Sequence, residues 1–175
     1  DFVFPPELEP FMTEKPLRLP RCYQVSDRQR DVGPPLTRAS CSLPEDKFVF
    51  AAFNNNYKIT PEVFATWMRI LTQVPDSVLW LMADNRWSEQ NLRDQAKVHG
   101  IDPVRLIFAG RAFPAEYMAR LALPDLFLDT LPYNAGTTAN DILWMGTPIL
   151  TCSGKTYISR MCGSLLTAVG LPDLI

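Results

Sequence analysis

From residue 47 onward the sequence alternates between short apolar runs and longer stretches with helical punctuation. The runs are KFVFAAF (47–53), SVLWLM (77–82), RLIFAG (105–110), DLFLDT (125–130) and TPILTC (147–152). Each is too short for a helix and rich in β-favouring residues, and most lack the polar alternation of a strand with one wet face. Strands of that kind are buried on both sides, which constrains the fold more than any other feature of the chain.

The intervening stretches read as helices. Thr60 is placed as an N-cap and Pro61 at the first helical position, with Val63, Phe64, Trp67, Ile70, Leu71 and Val74 along one face. SEQNLRDQAKVHG reads as a polar surface helix capped by Ser88 and stopped by Gly100. Further helices are expected from Pro114 to about Leu123, from the Gly-Thr-Thr segment to Gly146, and from Ser159 to Val169 before Gly170. Short buried strands alternating with helices predict an α/β fold, a Rossmann-like parallel sheet with helices on both faces.

Residues 1–46 differ. They hold eight of the sixteen prolines and one glycine. Proline fixes φ and removes a donor, so this part is expected to be an extended linker carrying one short strand, with the regular domain at 47–175. Because the chain starts at Asp1 and stops at Ile175 directly after an apolar segment, it is expected to be a piece of a longer protein.

The composition narrows the function classes. A net charge of −2 gives no bulk electrostatic reason to expect a nucleic-acid or membrane-surface partner. No apolar run approaches the ~20 residues of a membrane span. No basic, then apolar leader precedes residue 20, and a cytoplasmic location is expected. Cys22, Cys41, Cys152 and Cys162 are irregularly spaced, which reads as free thiols rather than a zinc site or a disulfide framework. The single histidine, His99, stands at a helix end, so no histidine-based triad or metal cluster is available.

In a parallel α/β sheet, ligands sit outside the carboxyl ends of the strands. The loops to inspect are therefore 54–58 (NNNYK), 110–114 (GRAFP), 131–138 (LPYNAGTT) and 153–157 (SGKTY). In NAGTTAND, Gly136 permits close backbone approach, Thr137 and Thr138 bring hydroxyls to a helix N-terminus, and Asp141 lies one turn further in. Two readings stay open on these residues: an ordinary helix cap, or a phosphate site with Asp141 as acceptor for a ribose hydroxyl. Lys58 ends another of the loops, as a solvated lysine or as a point charge on the same crevice. Arg111, Arg120, Lys155 and Arg160 recur along that edge, which favours an anionic ligand. FNNNYK follows the first strand where a G-x-G-x-x-G would stand in a dinucleotide site, and no phosphate-loop motif or acidic cluster is present. What remains is a metal-free anion site built from amides, hydroxyls and a lysine.

The ordered motifs FNNNYKITPEVFATWMRIL, VPDSVLWLM, RLIFAG, DLFLDTLPYNAGTTANDILWMGTPILT and SRMCGSLLTAVGLPDLI resemble the C-terminal lobe of O-linked N-acetylglucosamine transferases. They look most like the bacterial, tetratricopeptide-repeat-containing homologues in glycosyltransferase family 41. The resemblance runs almost without gaps from about Phe48 to Ile175, and EKPLRLPRCYQVSDRQR looks like the link from a preceding lobe. It implies a GT-B enzyme with two Rossmann-like lobes, UDP-N-acetylglucosamine as donor, a protein serine or threonine as acceptor, and no metal or other cofactor. By motif position, Lys58 matches a lysine at the diphosphate and is the first candidate for stabilising the departing UDP. Asn55 stands where the mammalian enzyme has a glutamine, Ala112 where a backbone touches uracil, Thr137 and Thr138 at the diphosphate, and Asp141 at the ribose.

Three positions depart from the animal pattern. Gly136 and Tyr117 replace histidines and Pro114 replaces a lysine, with Arg111 or Arg120 as possible diphosphate support in compensation. The general base is expected in the preceding lobe, so the chain alone is expected to be inactive. Two alternatives remain: a UDP-glucose-dependent N-glucosyltransferase of the same family, and a repeat scaffold whose transferase lobe is silent.

Overall fold

In the structure, a computed structural model describing residues 2–82 and 85–175, five strands form one sheet. They are β1 (Phe48–Ala52), β2 (Ser77–Met82), β3 (Leu106–Ala109), β4 (Leu126–Leu128) and β5 (Ile149–Leu150). All pairings are parallel, in the order β3-β2-β1-β4-β5, and the register sets Phe50 beside both Leu79 and Leu126. The helices are α1 (Pro61–Gln73), α2 (Arg86–Val98), α3 (Pro114–Arg120), α4 (Thr137–Trp144) and α5 (Met161–Ala168).

Strand order explains why helices lie on both faces. The chain steps outward from β1 to β2 to β3, then crosses back to place β4 on the other side of β1. Parallel crossovers keep one hand, so reversing direction moves the connecting helices to the opposite face. Phe50, Ala52, Leu79 and Leu81 accordingly pack against Phe64, Trp67, Met68 and Leu71 of α1 and Ala96 of α2. Val49, Ala51, Trp80 and Phe127 point the other way, against Met118, Ile142 and Leu166 of α3, α4 and α5. Trp80 and Phe127 are 1% and 0% exposed, and Phe127 contributes about 1.5–3 kcal/mol by leaving water.

Several local expectations need correcting. The cap of α2 is Asn85, whose side chain accepts from the amides of Trp87 and Ser88; Ser88 lies inside the first turn. On α1 Met68 is buried as fully as Leu71 although the sequence pattern leaves it off the apolar face, while Val74 is the exposed C-cap residue. The fourth and fifth strands are shorter than their apolar runs: the Asp129 amide still donates to Leu150 O at 3.0 Å, but beyond it the chain leaves the sheet. The Thr151 amide donates to Leu174 O at 3.0 Å. The last helix begins at Met161, after a 3₁₀ turn at Tyr157–Ser159.

No strand forms among the described residues before Phe48. This proline-rich stretch instead holds 3₁₀ turns at Pro6–Phe11 and Ala39–Cys41, and it packs on the sheet. Leu43 is buried in the core on the α3 side. Arg38 bonds the carbonyls of Leu123 and Lys47 and pairs with Asp125 at 2.7 Å, and that carboxylate oxygen also takes the Val49 amide at 2.8 Å. Proline denies this segment a ladder but not side-chain anchors.

Candidate functional site

The crevice of such a sheet lies where strand order reverses, here between the carboxyl ends of β1 and β4. After β1 the chain passes buried Asn54 and makes a 3₁₀ turn at Asn56–Lys58 with Asn55 as its N-cap residue. That turn sends Lys58 across the crevice. Its Nζ donates to Asn134 O at 3.2 Å and Asn54 Oδ1 at 3.3 Å, and sits 4.0 Å from the centre of the Tyr133 ring. Burial pushes the amine below its ordinary value, opposed by the charge of Asp129.

The β4–α4 loop that Lys58 reaches is organised by Asp129, the residue that follows β4. Its Oδ1 accepts the amides of Thr130 and Ala135, both at 2.7 Å, and Asn54 Nδ2 at 3.4 Å. Its Oδ2 accepts the Thr151 hydroxyl at 2.6 Å. One carboxylate therefore joins the segments following β1, β4 and β5. The residue keeps some open surface, yet its carboxylate is crowded; burial pushes it up and these donors pull it back only in part. Asn134, wholly buried, adds a bond to Thr130 O at 2.8 Å.

The loop delivers the chain to α4. Gly136 is the N-cap residue and supplies no side-chain cap, so Thr137 and Thr138 are the first two helical residues rather than caps. The first amides of a helix have no acceptor within it and carry the positive end of the dipole. The Cβ direction of Gly136 is not open to a ligand: an added Cβ would lie 2.4 Å from Met161 Cε and 3.1 Å from the Tyr23 hydroxyl. A side chain at this position would have to displace the Met161 terminus. Asp141 is 7% exposed and ion-paired to Arg30 from the N-terminal segment.

A second pocket, about 240 Å³, opens at the ends of β1, β2 and β3. Asn55, Asn56, Arg111, Ala112 and Tyr117 line it. Tyr117 is a half-buried member of that lining. Burial first, and then the charge of Asp141, push its hydroxyl up to about 12, so it is a neutral donor. The structure thus brings Asn55, Arg111 and Ala112 to one pocket and Lys58 onto the neighbouring loop that leads to Gly136, Thr137 and Thr138, with Asp141 one turn further along α4 and paired to Arg30. Arg120 is elsewhere: it bonds Gly110 O and Glu116, each at 2.6 Å, on a different cavity beside Ser40 and Trp80. Arg160 is also committed, donating to Phe2 O at 2.6 Å. Pro114 only starts α3.

A larger groove, about 430 Å³, lies on the opposite face beside Trp67, Leu128 and Leu150. Its only charged lining residues are Glu62 and Asp129, which makes it a poor host for an anion.

The profile of glycosyl transferase family 41 matches residues 29–175. The sequence is 40% identical over 177 residues to a probable UDP-N-acetylglucosamine–peptide N-acetylglucosaminyltransferase of Arabidopsis thaliana, covering 98% of this chain and 18% of that protein. A UDP-N-acetylglucosamine–peptide N-acetylglucosaminyltransferase of Caenorhabditis elegans is also 40% identical, over 139 residues, 79% of this chain and 12% of its own length. Among solved structures, a mutant O-GlcNAc transferase of Thermobaculum terrenum superposes with a TM-score of 0.85 at 28% identity, over 99% of this chain and 33% of that one. The chain thus spans under a fifth of the two curated relatives. On the sequence profile, these identities and the shared fold, the chain belongs to glycosyltransferase family 41.

Proposed function

We propose that this chain is the donor-binding lobe of a UDP-N-acetylglucosamine-dependent protein glycosyltransferase that modifies serine or threonine. The observation that carries the reading is the Lys58 amine, held 3.2 Å from Asn134 O over the crevice between β1 and β4. There it faces the loop that ends at the α4 N-terminus. In this reading the diphosphate lies between Lys58 and the amides and hydroxyls of Thr137 and Thr138, and Asp141 accepts from the ribose. The uracil enters the pocket of Asn55, Arg111 and Ala112. A fixed ammonium and a helix N-terminus stabilise charge as it develops on departing UDP, with no metal in the scheme. The acceptor and general base belong to the rest of the parent protein, taken here to be of the bacterial type with tetratricopeptide repeats. Residues 1–46 form the link between lobes, residues 47–175 the donor lobe, and the location is cytoplasmic. Among the described residues no helix is long and apolar enough to cross a membrane.

The test is calorimetric titration of UDP in the presence of a chelator. Binding is expected without magnesium, and Lys58→Ala and Asp141→Ala should each weaken it by about 10- to 100-fold, the worth of a hydrogen bond to a charged group. An unchanged melting temperature at millimolar-range UDP would contradict the proposal.

A further inference from the structure

We infer that Arg30 is a positioning residue for the donor's ribose, acting through Asp141. The inference rests on the reading of Asp141 given above and extends the site to a segment outside the regular sheet. Arg30 Nη2 pairs with Asp141 Oδ1 across 111 residues of sequence, both side chains being largely buried at 20% and 10% exposure. The guanidinium also lies 5.7 Å from the centre of the Trp144 ring, on the same helix as its partner.

The backbone around Arg30 is tied down on both sides. Ser26 Oγ donates to Asn140 Oδ1 at 2.9 Å, and the Gly33 amide donates to Ala115 O at 2.9 Å. A Cβ on Gly33 would meet that same carbonyl at 3.0 Å, so a larger residue would push the two segments apart by a few tenths of an ångström. Upstream, the Tyr23 hydroxyl rests against Gly136. The segment from Tyr23 to Gly33 therefore straps the outer side of α4 and delivers one cation to one carboxylate.

The consequence is chemical. A largely buried carboxylate without a cation tends to take up a proton or turn toward water. With Oδ1 held by Arg30, Asp141 is fixed in one orientation, and Oδ2 is the acceptor left for a ligand hydroxyl. A charge-assisted bond of that kind depends on fixed geometry. The opposite role, a plug that competes with the ribose for Asp141, makes the opposite prediction.

The experiment measures UDP and 2′,3′-dideoxy-UDP affinities by calorimetry for the wild-type chain, Arg30→Ala, Arg30→Lys and Lys58→Ala. Arg30→Ala should weaken UDP by about tenfold or more while leaving the dideoxy ligand within about twofold of wild type. Arg30→Lys should recover part of the UDP affinity, and it carries the test by the same comparison if Arg30→Ala does not fold. An equal loss for both ligands reduces Arg30 to a structural anchor and overturns the inference, as does tighter UDP binding. If UDP binds the wild type and Lys58→Ala weakens it, either of those results defeats this inference alone. If the wild type binds no UDP, the functional proposal falls and this inference with it.

Discussion

The two halves of the site are built differently. Around the crevice between β1 and β4 side chains cross-link the loops: Asp129 joins the segments after β1, β4 and β5, Asn134 Nδ2 donates to the carbonyls of Thr130 and Cys152, and Lys58 is held by Asn134, Asn54 and the Tyr133 ring. The neighbouring pocket of Asn55, Arg111 and Ala112 is looser. Asn55 and Arg111 are exposed, whereas the crevice residues Asn54 and Asn134 are buried; Asn56 Oδ1 here and Asn134 Oδ1 there are both buried without a hydrogen-bond partner. A diphosphate needs donors fixed before it arrives, since reorganising them weakens the stabilisation they give. A planar base can be accepted by a slot whose edges adjust. On the proposed reading, charge stabilisation falls to the cross-linked half and base recognition to the more exposed one.

The most severe way to break the contrast is to remove its keystone. Asp129→Ala strands two amides and a threonine hydroxyl, and should lower unfolding free energy by about 3 kcal/mol or more in urea titration. A loss below about 1 kcal/mol would mean that the crevice is not held from this point. Gly136→His is the next test. Its side chain collides with the Met161 terminus, so a destabilisation of about 2 kcal/mol is expected, and Met161→Ala in the same chain should recover a good part of it. Independent, additive losses would show that the two residues do not share that space.

The smallest effect is a pH profile. Burial holds the Lys58 amine below its ordinary value of about 10.4, whereas a bound diphosphate would raise it. UDP affinity should therefore be full below the free-state value and fall as pH rises through it, within the range under about 10.4. Lys58→Arg, always charged, should flatten that profile. Parallel profiles for the two proteins would remove Lys58 from the diphosphate.

What was legible in the sequence was local. The apolar runs marked a parallel sheet because strands buried on both faces have no polar side. Thr60 marked the start of α1, and Gly100 and Gly146, with φ of 75° and 83°, marked the ends of two helices. Lys58 and the Gly-Thr-Thr turn stood out because loops after strands are where such sheets bind ligands. Asp129 was not legible, because its partners at residues 54, 135 and 151 meet only through strand order. The Arg30–Asp141 pair was hidden for the same reason, spanning 111 positions and starting in a stretch whose prolines signal only a linker. Arg120 shows the converse: basic and near the right edge in sequence, but drawn away by Glu116 one helical turn before it.

The central claim is that an anionic nucleotide binds over the crevice between β1 and β4, and its most direct test is amide chemical-shift mapping with UDP by nuclear magnetic resonance. The account predicts that the largest changes fall on Lys58, Ala135, Gly136, Thr137, Thr138 and Ala139, with smaller ones at Ala112 and Tyr117. Changes centred instead on the groove of Trp67, Leu128 and Leu150, or no saturable changes at all, would contradict it.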